Sequence, residues 1–544
     1  MKHGGMTTVR TFVTGPGESR TAVLPEGATP GFSHWPSPPT AGQQCQLPKR
    51  PNWPPLAAAL AQSLHDSFAW PAPLVPTPGK TIAARDDNPN IPSGFTYLLQ
   101  FVGHDLVNTQ TPFWQVQNGL GTANLQSHPL RLSVLYGGGP AACPIAYAPA
   151  GLDGQDRCSF RLNTFKRVNP PVISAHLSDL SRVVADGCTE TLVADTRNAD
   201  NAVLSQLTTL FALLHNAVAE AISANTAFAP GASSTIRQRA VFEQARSTVE
   251  QIYRRLVLGE LLDKILHPSV LAAYRASGAS IAAVQHVPLE LTHAVLRCGH
   301  TMVRDRYFLR PGQYLMELAD NLAFAGPALR GQTQIPPVWI VQWSSFFEMN
   351  ISGVSPNYSR RIGPGMSPQM FDPTSFQPIG EQPPLGLPYR DMKSGLLAGL
   401  WSVDALITEV ATRAPGLLPA GWMFASPVPR AAAVSGWLTT VNRTQYLGLT
   451  AADIATVAAD PPLSIFVLLE AALDPAIEGQ HLGVLASIIF ADVLFGIAAA
   501  VRPPAASALP PAEQTAVDAI ATMADCVRYV AAHITVPPGG ISFI

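Results

Sequence analysis

The chain has few charged residues and almost no net charge. Asp, Glu, Lys and Arg make up only 13% of its 544 residues, and the formal net charge is −2. A protein that binds nucleic acid or an anionic membrane through its overall charge has a clear excess of Lys and Arg. We therefore expect no nucleic-acid partner. The 47% of hydrophobic residues indicates a large buried core.

Cysteine is scarce and is not arranged for metal binding. No CxxC pair occurs among Cys45, Cys143, Cys158, Cys188, Cys298 and Cys526. This argues against a zinc ribbon or a thioredoxin-like site. The first residues, MKHGGMTTVRTF, lack the apolar segment of a secretory signal. We therefore expect a cytoplasmic protein with reduced thiols, although Cys143 and Cys158 could pair in an exported one.

Long hydrophobic runs are rare, but Leu482 to Val501 is about as long and as apolar as a membrane span. Asp492 lies in its middle, and a carboxylate there would cost several kcal/mol in lipid. The glycines and alanines of the stretch suit close packing between helices. We favour a buried core helix and expect no membrane span.

Helical patterns dominate the rest of the chain. They cover 54–70, 95–107, 199–226, 234–266, 288–303, 394–413, 463–473 and 482–501, whereas strand patterns are limited to 130–137 and 337–343. No long repeat is visible. We predict a mainly α protein with one large helical domain over 51–544, long irregular loops and few short strands. Residues 1–50, rich in Gly, Pro, Ser and Thr, are predicted to form a flexible arm, which could wrap the body of the protein.

Three polar segments stand out within these patterns. QFVGHD (100–105) places Gln100 and His104 one turn apart on an apolar helix, where they need buried polar partners. DTRNADN (195–201) precedes a long amphipathic helix; its Asp195 or Asn198 could simply cap that helix, but capping does not require Arg197 as well. RCGHTMV (297–303) places a glycine beside His300, where a flat group could approach.

These segments resemble the animal-type haem peroxidases of the peroxidase–cyclooxygenase superfamily, in particular their bacterial members. NPNIPSGFTYLLQFVGHDL is similar to the distal-helix motif IPAGFTYLGQFIDHDL, and ADTRNADNAVLSQLTTLFALLHNAVAE to GDPRNDENLxLxQLHxxFLxxHNxVxE. LTHAVLRCGHTMVRDRY resembles the proximal FRxGHSMVRxxY, and LPYRDMKSGLLAGLWS resembles LAxRDLxRGxxxGLPS. With the segment after Pro462, the resemblance runs from about Ile91 to Val501 in the family's order.

The resemblance implies a role for each matching residue. His300 corresponds to the axial ligand of the haem iron, and Asp391 to the residue that hydrogen-bonds that imidazole. His104 corresponds to the distal base, Gln100 to its companion in the pocket and Arg197 to the distal arginine. Two further residues are expected at the cofactor: Arg297, able to reach a propionate, and Asp200, at the position of a Glu that forms an ester with the haem in some members.

The implied activity is a haem-dependent peroxidase that uses hydrogen peroxide to oxidise a small organic or halide donor through a ferryl intermediate. The roles agree with the chemistry, because a neutral imidazole can take the proton from peroxide and Arg197 can stabilise the leaving oxygen. Two alternatives stay open. The protein could be a haem oxygenase or oxidative-coupling enzyme that tailors one metabolite, or a haem-binding protein without catalysis, which we would expect to have lost His104 or Arg197.

The chain departs from the family pattern at several positions. Gly103 replaces an Asp that forms the other haem ester, and Asp200 is one methylene shorter than Glu, so we expect haem b held mostly without covalent links. Arg297 occupies the position of a Tyr in the oxygenase branches, which favours a peroxidase. Trp401 replaces the Pro of the family's GLP motif, which suggests an altered surface or pocket.

A further departure concerns calcium. Asp105 matches a calcium ligand of the family, but Arg131 replaces the Asp of the partner loop, and a cation there repels calcium. We expect calcium to be absent, with Arg131 pairing with Asp105 in its place. Alternatively, Arg131 points to solvent and Asp105 only caps a turn.

Overall fold

The fold is known from a computed structural model of the chain. The described residues are 12–15, 18–20, 32–65, 87–109, 124–126, 129–149, 157–164, 178–185, 188–225, 227–229, 231–277, 281, 286–323, 333, 335–372, 383–500, 508–534 and 542–544. Residues 1–11 and 21–31 of the predicted arm, and the end of the helix predicted over 54–70, lie outside them.

The described part of the chain is mainly helical, as predicted. Its helices are α1 (Trp53–Gln62), α2 (Gly94–Leu106), α3 (Ser133–Tyr136), α4 (Gly139–Ala142), α5 (Ala202–Ala224), α6 (Ser234–Arg255), α7 (Leu262–Ile265), α8 (Pro268–Ser277), α9 (Leu289–His293), α10 (Leu318–Ala323), α11 (Gly386–Leu397), α12 (Val403–Arg413), α13 (Pro427–Gln445), α14 (Ala451–Ala459), α15 (Leu463–Leu473), α16 (Val484–Ala499), α17 (Pro511–Asp518) and α18 (Met523–Ala532). A π-helical turn, Leu256–Leu261, joins α6 to α7.

The strands are short and pair only two at a time. They are β1 (Phe12–Gly15), β2 (Glu18–Arg20), β3 (Asp87–Pro92), β4 (Leu162–Thr164), β5 (Ser178–Leu180), β6 (Arg182–Ala185), β7 (Cys188–Thr191), β8 (Arg306–Arg310), β9 (Gln313–Glu317) and β10 (Tyr358–Arg360). The antiparallel pairs are β1–β2, β3–β10, β4–β5, β6–β7 and β8–β9. The two predicted strands are wrong: 130–137 contains α3, and 337–343 contains the 3₁₀ turn Pro337–Trp339.

The longest helix, α5, runs through the core with apolar side chains buried on nearly every side. It is long and apolar enough to cross a membrane, but 89% of its most apolar window is buried inside the protein. The helix predicted over 482–501 is α16, and it is a core helix as expected. Asp492 in its middle is fully buried and accepts hydrogen bonds from Trp35 Nε1 at 2.7 Å and the Tyr274 hydroxyl at 2.9 Å.

Residues 32–50 form a segment that packs on the helices, here called the N-terminal strap. Trp35 is buried, and its backbone N–H donates to Glu290 Oε2 at 2.8 Å. The His34 ring bonds the other oxygen of the same carboxylate at 2.8 Å. Residues 32–50 of the predicted arm thus lie against the body of the protein, where buried carboxylates on α9 and α16 hold them.

The strap also explains one departure from the family pattern. Trp401 is buried, and its Nε1–H donates to the carbonyl oxygen of Ser37 at 2.8 Å. The backbone N–H of Cys45 donates to the carbonyl of Leu400 at 3.0 Å. Trp401 thus binds the strap and does not line the cavity described below. Cys45, Cys143 and Cys158 are free thiols.

One glycine fixes where α2 begins. A Cβ added at Gly94 would lie 2.4 Å from Phe347 Cε1 and 2.5 Å from the Phe346 carbonyl oxygen, closer than atoms can approach. Only glycine allows α2 to start against this backbone. The close approach sets the position of the helix that carries Gln100 and His104.

Candidate functional site

A cavity lies between α2 and the 3₁₀ segment Val295–Met302, with side chains of α10 on another wall. It contains about 910 Å³ of empty space when its opening is included. Among the predicted site residues, its lining contains Gln100, His104, Arg197, Arg297 and His300. Segments that are far apart in the sequence therefore meet at one place.

His104 lies in the last turn of α2, on the wall of the cavity. Its Nδ1 atom is 2.7 Å from the Asn198 Oδ1 atom. An amide oxygen can only accept a hydrogen bond, so Nδ1 carries the proton and Nε2 is left as an unprotonated nitrogen. Burial, and after it the charge of Arg197, lowers the pKa of His104 to about 4. The imidazole is therefore neutral at ordinary pH.

Arg197 is held firmly in the short turn Thr196–Ala199 before α5. Its Nε and Nη2 atoms donate to the Asp195 carboxylate, with Nη2 at 2.5 Å. Nη1 donates to the carbonyl oxygen of Val107 at 2.7 Å, and Nη2 to that of His104 at 3.1 Å. Of its five N–H groups, one on Nη1 is left without an acceptor among the described residues. Burial alone would raise the pKa of Asp195, but Arg197 keeps it below its ordinary value.

Gln100 presents a second free donor to the cavity. The Asn201 side-chain Nδ2 donates to Gln100 Oε1 at 3.2 Å, and Asn201 Oδ1 caps α5 by accepting from the Leu204 N–H at 2.8 Å. The buried Gln100 Nε2 atom has no hydrogen-bond partner in the described part of the chain. An unsatisfied donor on a cavity wall is available to a small polar ligand.

His300 faces the same cavity from the 3₁₀ segment Val295–Met302. The predicted continuous helix over 288–303 is therefore wrong, because α9 ends at His293. The His300 Nδ1–H donates to Asp391 Oδ2 at 2.5 Å. Arg297 Nη1 lies 3.3 Å from Asp391 Oδ1. Burial alone would raise the pKa of Asp391, but His300 and Arg297 hold it below its ordinary value.

Asp200 does not line the cavity, although the family pattern led us to expect it at the cofactor. It ends the Thr196–Ala199 turn with its backbone N–H bonded to the Arg197 carbonyl at 3.1 Å, and the next residue, Asn201, forms the wall. Open space lies instead beside Gly103, where an added Cβ would meet nothing within 4 Å.

The predicted pair between Arg131 and Asp105 is wrong. Asp105 is fully buried and accepts hydrogen bonds from the Leu132 backbone N–H at 3.1 Å and the Ser133 hydroxyl at 2.9 Å. Leu130 and Leu132 adopt positive φ angles of 58° and 52°, which shape the loop around this carboxylate. Among the described residues, no ion pair joins Arg131 to Asp105, because backbone and hydroxyl donors already satisfy the carboxylate. The absence of calcium stays a prediction.

Sequence reasoning missed the partners that hold the distal residues. Asp195 does cap the Thr196–Ala199 turn by accepting from the Arg197 N–H at 3.1 Å, but it also binds the Arg197 side chain. Asn198, the other capping candidate, binds His104 instead, and α5 is capped by Asn201. These residues lie in the DTRNADN segment. Asp and Asn can either cap a helix or position another side chain, so the sequence alone does not distinguish the two roles.

The lining of the cavity also contains a hydrogen-bonded pair, Tyr97 of α2 and Asn321 of α10, that no motif indicated. Tyr97 lines the cavity, and its hydroxyl oxygen accepts from Asn321 Nδ2 at 2.8 Å. Asn321 Oδ1 in turn accepts the Ala202 N–H at 3.0 Å, at the start of α5. This link ties the cavity wall on α10 to the two helices that carry the distal residues.

The residues around the cavity fit a haem. A carboxylate accepts the Nδ1–H of His300, as is usual for an imidazole that binds a metal through its other nitrogen. The space beside Gly103 is open, and much of the wall is apolar, with Leu99, Leu296, Val303 and Leu318 in it. An apolar wall with a few polar groups is typical of cofactor sites.

Comparison with known proteins also indicates a haem protein. A model of the animal haem peroxidase family matches residues 166–330, whereas no curated protein matches the sequence. The fold is similar to that of peroxidase A from Dictyostelium discoideum, with 15% identity, a TM-score of 0.53 and coverage of 89% of this chain and 90% of that one.

Two fatty acid alpha-dioxygenases share the fold as well. The Arabidopsis thaliana enzyme is 12% identical, with a TM-score of 0.52 and coverage of 92% of this chain and 76% of that one. The Oryza sativa enzyme is 12% identical, with a TM-score of 0.54 and coverage of 90% and 79%. At such identities these likenesses establish the shared fold of the chain. Residues 166–330, which include Arg197 and His300, match the animal haem peroxidase family.

Proposed function

We propose that this protein is a haem-dependent peroxidase that uses hydrogen peroxide to oxidise a small organic or halide donor. One observation carries the proposal: a single cavity is lined by His300, whose Nδ1–H is bound by a carboxylate as in metal-binding imidazoles, and by His104 and Arg197, whose groups suit peroxide. A bound haem would be held by His300 and would supply the redox-active iron for this chemistry.

His104 handles the proton in this proposal. Its Nε2 atom accepts the proton of the bound peroxide and returns it to the departing oxygen, a transfer that requires the imidazole to start neutral. The pKa of His104, lowered by burial to about 4, meets that requirement near neutral pH.

Arg197 stabilises the negative charge that develops on the departing oxygen. The Asp195 carboxylate and two backbone carbonyls fix the guanidinium before the reaction, so little reorganisation is needed. The remaining Nη1–H and the free Nε2–H of Gln100 are the donors available to the oxygen atoms. On the other side of the cavity, Asp391 orients His300 and makes its imidazole a stronger electron donor to iron.

Substitution of the two histidines tests the proposal. His300→Ala should abolish stable haem binding, seen as loss of the Soret band after reconstitution. His104→Ala should retain the band but react with peroxide at least about 100-fold more slowly, the scale of one general base. His286→Ala, a change at an exposed histidine, serves as the control and should match the parent. A normal Soret band in His300→Ala would overturn the assignment.

The mode of haem attachment can be tested on the same preparations. We propose haem b without a covalent link, because Gly103 offers no side chain and Asp200 does not lie on the cavity wall. Acidified acetone should extract the haem, and mass spectrometry should find an unmodified peptide around Asp200. A haem adduct on that peptide would show that the shorter carboxylate still reaches the porphyrin.

A further inference from the structure

Asn198 lies behind His104, away from the cavity. It is fully buried and does not line the cavity, and its Oδ1 atom accepts the His104 Nδ1–H at 2.7 Å. The contact joins α2, which carries His104, to the turn that precedes α5. Asn198 is thus in a position to control the imidazole without touching a ligand.

The backbone around Asn198 is fixed on both sides. Its N–H donates to the Asp195 carbonyl at 3.1 Å, and its own carbonyl accepts from the Thr208 hydroxyl at 3.1 Å. The amide oxygen is therefore presented to His104 from a rigid turn. The same turn carries Arg197, so the two distal groups are positioned by one short segment.

We infer that Asn198 is a positioning residue that holds His104 in the Nδ1–H tautomer and so presents an unprotonated Nε2 to the peroxide. A neutral imidazole carries one proton, and the other tautomer would turn an N–H donor toward the cavity and leave no base there. The inference rests on the proposed function, because the tautomer matters to the reaction only if His104 is the base.

The amide of Asn198 binds His104 without carrying a charge. A carboxylate in the place of Asn198 would favour the imidazolium form and raise the pKa of His104. The groups that already act on this histidine are Arg197 and His300, which lower its pKa, and Asp195, which raises it. Asn198 adds an acceptor to this set without adding a charge.

The other end of the same side chain supports a specific role for the oxygen. The buried Asn198 Nδ2 atom has no hydrogen-bond partner among the described residues. An unsatisfied buried donor is unfavourable, so the amide is a poor choice for packing alone. The Asn198 Oδ1 atom, which accepts the hydrogen bond from His104, is therefore the functional part of this side chain.

The test uses the haem-loaded protein and two variants. Asn198→Ala removes the acceptor, and we expect the reaction with peroxide to slow by about 10-fold or more, as for other residues that orient a histidine. Asn198→Asp keeps the shape and the acceptor but adds a charge. It should therefore react near the parental rate at pH about 8 and fall by at least about threefold at pH about 5.5, where the parent changes little.

Nitrogen NMR of the protein loaded with zinc protoporphyrin, which is diamagnetic, reads the tautomer directly. The parent should show a protonated Nδ1 and an unprotonated Nε2 on His104, and Asn198→Ala should show a mixture. Asn216→Ala is the matched control. Asn216 lies on α5 and binds the backbone of Phe160, so its loss should leave rate and tautomer unchanged even where it lowers stability.

The outcomes separate the inference from the proposed function. A parental rate in His104→Ala would remove the base and the proposed function with it, whatever the Asn198 variants do. If His104→Ala is slow but both Asn198 variants match the parent in rate and pH profile, the inference is wrong and the function stands. A proton found on Nε2 in the parent protein would overturn the inference as well.

Discussion

The pH dependence of the reaction with peroxide distinguishes the buried His104 from an ordinary histidine. Burial, followed by the charge of Arg197, lowers the pKa of His104 to about 4, whereas an unperturbed histidine has a pKa of about 6.5. At pH about 5.5, the neutral fraction is about 97% with the lowered pKa and about 9% with the unperturbed one. Only the neutral form accepts a proton, so the rate should decline as the pH falls through about 4.

The assay is stopped-flow mixing of the haem-loaded protein with excess peroxide, followed at the Soret band from pH about 8 down to about 4.5. We expect less than about a 10% loss of rate at pH about 5.5, against a loss of about tenfold for an unperturbed histidine. The ferric spectrum before mixing shows at each pH whether haem is still bound. His104→Ala is the control, and its slow residual rate should show no titration in this range. A midpoint near 6.5 in fully loaded parent protein would refute the reasoning.

Two predictions concern stability, each read from chemical denaturation. Ser133→Ala should destabilise the protein by about 1–3 kcal/mol because it removes a donor from the buried Asp105 carboxylate. Arg131→Ala should change stability by no more than about 0.5 kcal/mol. A larger loss of stability for Arg131→Ala than for Ser133→Ala would show that Arg131 does pair with Asp105. Trp35→Phe should cost about 1.5–3 kcal/mol because it deletes a hydrogen bond to a carboxylate. Trp422→Phe is its control, since the buried Trp422 Nε1 atom has no partner among the described residues; equal losses in the two variants would contradict this assignment.

Helical periodicity located the long helices well. The pattern over 463–473 coincides with α15, and those over 199–226 and 482–501 contain α5 and α16 with only a few residues to spare. These helices are long and apolar, and their spacing is a local property that a sequence shows directly. The family motifs added the positions of His104, Arg197 and His300, which meet at one cavity.

The errors lie where distant contacts override local preference. The segment 130–137 is rich in Leu and Val, as a strand would be, but its backbone bends around the buried Asp105 and adopts positive φ angles. The Gly, Pro and Ser content of the strap is typical of loops and predicts an arm, but it does not show where that arm binds the body. Its order depends on Glu290 and Asp492, and no local pattern reveals partners so far along the chain.

Asn198 illustrates a different limit. Asn favours the start of a helix because its side chain accepts free backbone N–H groups, so DTRNADN predicts a cap whichever residue provides it. The structure assigns capping to Asp195 and Asn201 and leaves Asn198 for His104. Only the position of α2 relative to this turn separates the two uses.

The bond between Trp35 and Asp492 also constrains how the protein is made. The two residues are 457 positions apart, and a ribosome adds about 5–20 residues per second. Trp35 therefore leaves the ribosome roughly 25–90 seconds before its partner exists. Throughout that interval a large aromatic side chain lacks its native burial site, so the strap is among the last parts to settle and a natural target for chaperones during synthesis.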